Sequence, residues 1–168
     1  MQIEPNSDGK GITLHLNSME RQILLELPDR LETFLHLPDH ATNVANRLFP
    51  RTYNEDEVEA DYRKYAVEEI QNKKLADLQH AREDLSALSH GATEEDYFSE
   101  QELVLCDAGI ARWIGFLNDM RLMLGTELRI EEDSDFQQMS QELPDHEAVN
   151  LEIYGVLTWL QGHLVEFF

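Results

Sequence analysis

A chain of 168 residues that is 42% hydrophobic is long enough to bury one apolar core, so disorder is not the default and one domain is favoured over two. Thirteen Lys and Arg against 34 Asp and Glu give a formal charge of −21. This argues against nucleic acid as a direct partner, because affinity for a phosphate backbone comes largely from Lys and Arg releasing counterions. No stretch approaches the roughly 18 apolar residues that span a bilayer.

The amino terminus, MQIEPNSDGKG, lacks the basic and apolar parts of a secretory leader. The single cysteine, Cys106, fits a reducing compartment, and the expected location is the cytoplasm. Two β-prone pieces between Ile3 and Leu16 flank Ser7-Asp8-Gly9-Lys10-Gly11, which predicts a hairpin over residues 1–17. Its Gly-Lys-Gly lacks the spacing of a phosphate-binding loop.

Asn17 and Glu20 form a capping pair ahead of Ile23, Leu24, Leu27, Leu31, Phe34 and Leu35, with Pro28 expected to bend or split that helix. Asn54 and Glu57 signal a second, long charged helix through Leu85, whose apolar stripe rotates between Ile70 and Leu78. His90 to Phe98 reads as a loop. Ser99 and Glu102 then suggest a capping box for a central helix carrying Leu103, Cys106, Ile110, Trp113, Leu117, Met120 and Leu124 at alternating spacings of three and four, with Gly125 near its end.

After the acidic loop Glu131 to Asp135 comes a helical turn at Phe136 to Gln141. The final helix starts near Asp145, with Val149, Ile153, Val156, Leu157, Leu160, Leu164 and Phe168 on a broad face. The expected fold is mainly α, a single domain in which 18–168 form a bundle of about four main helices beside the hairpin.

No catalytic, cofactor-binding or metal-ligating set is evident. Cys106 on the central seam reads as a buried structural thiol rather than a nucleophile. His36 and His40 have the spacing of a metal pair, but Pro38 between them disrupts the helix that spacing needs. The run Glu131-Glu132-Asp133-Ser134-Asp135 lacks the glycine and closing Glu of a calcium loop and reads as a solvated acidic loop.

Asn118 and Arg121 share one edge of the central helix, Asp119 points nearly the opposite way, and Arg121 is expected to meet a carboxylate from another helix. His163 borders the apolar face of the last helix as a hydrogen-bonded core-edge residue. Trp159, with Trp113 and Tyr154, offers either core packing or a stacking surface. Asn118, Arg121, Trp159 and His163 are the candidate ligand or partner residues.

Arg47-Leu48-Phe49-Pro50, DYRKYAVEEIQNKKLADL from Asp61, FLNDMRLMLGTEL from Phe116 and VLTWLQGHLVEFF from Val156 together resemble a bacterial domain-of-unknown-function family common in actinomycetes. That family includes proteins described as oxidative-stress regulators, and its genes often lie beside that of the ClpS adaptor and near sulfur-metabolism genes. The resemblance implies regulatory or adaptor work. Its redox-linked members carry two nearby cysteines, and this chain has one, so Cys106 does not inherit a thiol-switch role.

The resulting expectation is a non-catalytic regulatory or adaptor protein that acts through an unknown protein partner, with homodimerisation through the last helix as one possibility. The alternative is a small-ligand-binding protein or enzyme with a polar pocket between helices near Arg121.

Overall fold

The computed structural model describes residues 1–7, 9–36, 42–89, 99–132 and 134–167. Four main helices, α1 (Ser18–Leu35), α3 (Asp56–Ser89), α4 (Asp107–Glu127) and α6 (Asp145–Glu166), are joined by the short α2 (Asn43–Leu48) and α5 (Phe136–Glu142). Strands β1 (Gln2–Pro5) and β2 (Ile12–Leu16) form the hairpin, and β3 (Gln101–Leu105) extends it into an antiparallel sheet of order β1-β2-β3. His40, Asp133 and Phe168, and the loop read from His90 to Phe98, lie outside the described residues.

The third strand corrects the expectation that the central helix begins after Ser99. Ile12, Leu14 and Leu16 turn one fully buried face of β2 to the helices, and β3 pairs with β2 in the register Ile12↔Leu105, Leu14↔Leu103 and Leu16↔Gln101. Leu103 and Leu105 point inward while Glu102 and Val104 point out, the period-two pattern of a half-buried strand. Pairing with β2 gives these backbone groups partners and buries two leucines on the sheet's inner face, which the local capping pattern did not anticipate. Cys106 is therefore not buried on a helix seam. It is an exposed residue at the N-cap of α4, and its side chain makes no cap hydrogen bond.

From Ile110 onward the predicted seam holds: Ile110, Trp113, Leu117, Met120 and Leu124 are all fully buried. They place α4 at the centre, packed on α6, α3 and α2. The indole N–H of Trp113 donates to Asp84 Oδ2 at 2.8 Å, so the buried ring retains a polar partner.

α1 opens with the expected capping box, in which Asn17 Oδ1 accepts from the Glu20 amide and Glu20 accepts from the Asn17 amide. Pro28 does not split it. The proline is buried inside one continuous helix whose Leu24, Leu27, Leu31 and Leu35 all face the core, and that burial outweighs one missing hydrogen bond.

α3 begins at Asp56, two residues beyond the Asn54 signal. Its buried apolar residues Leu78, Ala81, Leu85 and Leu88 all lie in its second half, whereas Val58 and Tyr65 are exposed. α4 runs through Gly125 and ends at Glu127. Its terminal turn is closed by Arg129, whose φ is 57°, and by the Ile130 amide, which donates to Gly125 O at 2.8 Å. Among the described residues no helix is long and apolar enough to cross a membrane.

Candidate functional site

Two concave surfaces flank α6. The first is a cleft of about 440 Å³ where the end of α4 meets α2 and α6, lined by Asn43, Arg47, Arg121, Leu122, Gly125, Thr126, Arg129, Ile130, Glu131 and Tyr154. α2 supplies Asn43 and Arg47 one turn apart on its exposed side, while Val44, Ala45 and Leu48 are buried. Gly125 lets the Tyr154 ring approach closely, since a Cβ there would lie 3.3 Å from Tyr154 Cε2.

Arg121 does not meet the expected carboxylate. Its Nε donates to Thr158 Oγ1 at 2.9 Å, its Nη1 donates to Gln161 Oε1, and its guanidinium lies over the Tyr154 ring at 5.4 Å. The partially exposed site makes neutral acceptors sufficient, because the charge is not sealed in a dry core. Gln161 is itself held by donating Nε2 to Ile114 O at 3.3 Å, and Thr158 by donating to Tyr154 O at 2.8 Å. Phe136 stacks on Tyr154 with ring centroids 5.9 Å apart, which fixes the ring under the guanidinium.

The second surface is a mainly apolar groove of about 450 Å³ lined by Met1, Glu20, Glu152, Gly155, Val156 and Trp159. Trp159 is 41% exposed. Its ring packs against His163 at 4.1 Å, and the His163 Nδ1–H donates to the Trp159 carbonyl at 2.8 Å.

The four candidate residues thus divide among different surroundings. Arg121 lines the cleft, Trp159 edges the groove with His163 behind it, and Asn118 is exposed on α4, where it hydrogen-bonds Asp119. Asp119 points into the protein, buried against Lys74 Nζ, and burial raises its pKa above the ordinary value even though Lys74 draws it back down. Lys74 also lies 5.9 Å from the centre of the Phe49 ring, and its ion pair with Asp119 ties α3 to α4.

Sequence reasoning did not single out Arg47, Arg129 or Tyr154 as members of the Arg121 cleft. Their only local signal was that Arg47 and Arg129 lie beside elements already recognised. Among the described residues no three His, Cys, Asp or Glu side chains are grouped to hold a metal ion.

The described surface is that of a mainly α domain with concavities on either side of its last helix. The chain belongs to the family described as domain of unknown function DUF2017, whose model matches residues 3–168. No curated protein and no solved structure matches it.

Proposed function

We propose that this is a non-catalytic regulatory or adaptor protein of the cytoplasm that binds another protein through the groove beside Trp159. The observation that carries the reading is a half-exposed tryptophan at the edge of an apolar groove, already held against His163. A large aromatic fixed before binding loses little entropy on association, and such residues supply much of the energy of protein interfaces. Glu20 and Glu152 border the groove in a chain of charge −21, so the complementary partner is a segment that brings an apolar anchor together with Lys or Arg.

A second copy of the chain would bring the same negative field, which favours a different protein over a homodimer. The resemblance to a group that includes oxidative-stress regulators supports the same regulatory reading.

A photo-crosslinking amino acid placed at Glu152 in the native cell tests it. One partner is expected to crosslink reproducibly, and the yield should fall about tenfold or more when Trp159→Glu is added. Equal capture with and without Trp159→Glu would sink the proposal, and crosslinks to a second copy alone would replace it with homodimerisation.

A further inference from the structure

We propose that the cleft formed by Arg47, Arg121 and Arg129 is a binding site for a small phosphorylated molecule, distinct from the protein-binding groove on the other side of α6. The distribution of charge pairs carries the inference. Arg30, Arg51, Arg63, Lys64, Lys73, Lys74 and Arg82 each lie within 4 Å of a carboxylate, as expected where acids far outnumber bases. Among the described residues Arg47, Arg112, Arg121 and Arg129 have no such partner, and three of these four line one cleft. Like charges that outnumber their counter-charges repel one another, and an anion bound between them relieves that repulsion.

Two features of the cleft orient its cations without neutralising them. Arg121 is held by Thr158, Gln161 and the Tyr154 ring, all uncharged, and its Nη2 has no protein acceptor among the described residues. Arg129 occupies the left-handed position that ends α4, with φ of 57°, where glycine is the favoured residue and any Cβ adds strain. An arginine there adds its charge to the lining of the cleft.

The lining also specifies the class of ligand. Among the described residues that line the cleft, three arginines accompany one carboxylate, that of Glu131, which leaves a net positive site suited to a phosphate dianion. At about 440 Å³ the cleft is too large for phosphate alone, and Leu122, Ile130 and the Tyr154 ring provide an apolar wall for an organic portion. Nucleic acid is a poor fit because the surrounding field of a −21 chain repels a polyanion, whereas a small anion is drawn by the local charge of the cleft.

The test is calorimetric titration of the full chain with inorganic pyrophosphate, with ionic strength held constant by sodium chloride. Saturable one-to-one binding is expected. Arg121→Gln and Arg129→Gly should each weaken it about tenfold or more, and Arg112→Gln, which removes an unpaired charge outside the cleft, should change it by less than about twofold. Arg129→Gly suits the backbone at that position, so its melting temperature should stay level or rise while binding is lost. No saturation by roughly 10 mM would overturn the site. Equal weakening by Arg112→Gln would also overturn it, because binding would then reflect diffuse charge.

Discussion

Gly11 joins the hairpin to the third strand at a single backbone position. Its φ is +83°, and a Cβ added there would lie 1.9 Å from the Leu105 carbonyl oxygen and 2.8 Å from Cys106 Cα. Both obstacles are backbone atoms, which no change of rotamer can move aside. Gly9 shares the positive φ, at 71°, but a Cβ there meets nothing within 4 Å. Gly11→Ala should therefore destabilise the protein by about 3 kcal/mol or more, combining backbone strain with displacement of β3, while Gly9→Ala should cost about 1 kcal/mol. Urea denaturation of the two variants checks this, and equal losses would mean that β3 shifts freely. The sequence showed both glycines as turn residues and could not rank them, because the strand that crowds Gly11 arrives far downstream. Cys106 was misread for the same reason, since its exposure depends on where β3 ends.

At the scale of elements, the entry to α3 rests on a buried carboxylate. Glu59 Oε2 accepts from the Thr52 amide at 3.0 Å and the Tyr53 amide at 2.8 Å, while Oε1 accepts from Arg63 Nε at 2.7 Å. The hydrogen bond from Tyr53 is the main cause holding its pKa below the ordinary 4.5, and the hydrogen bond from Arg82 does the same for Glu32. A carboxylate whose pKa is lowered by folding stabilises fully above 4.5, and that stability is lost as pH falls through the folded-state value. Asp119 acts in the opposite sense: its folded-state pKa lies above the ordinary 3.8, so protonation favours the folded state as pH falls.

Glu59→Gln should therefore lower the urea midpoint at pH 7 and flatten its decline as pH falls below 4.5. An unchanged acid slope would remove Glu59 from the set of groups that set acid stability. The apolar periodicities of α1, α4 and α6 were legible because each records one helix face. The start of α3 was displaced because Glu59 reaches back to the preceding loop, where the expected cap at Asn54 makes no side-chain bond to the helix.

For the whole molecule, composition made the charge imbalance plain but not its arrangement, since Arg47 and Arg129 meet Arg121 only after α2 packs on α4. Two electrostatic effects now compete. Added salt weakens the internal ion pairs, but most are partly exposed and worth about 0–1 kcal/mol each. It also screens the mutual repulsion of acids that exceed the bases by 21 charges, a force that acts over about 30 Å at 0.01 M salt and about 8 Å at 0.15 M. The excess of acids makes the second effect dominant, so the melting temperature should rise by roughly 2–4 °C between those salt concentrations, equivalent to about 1 kcal/mol for a domain of this size. Differential scanning calorimetry with sodium chloride checks the sign. A fall would mean that pairs such as Lys74–Asp119 and Arg82 with Asp29 and Glu32 outweigh the global repulsion, and it would place the stability of the bundle in those contacts between helices.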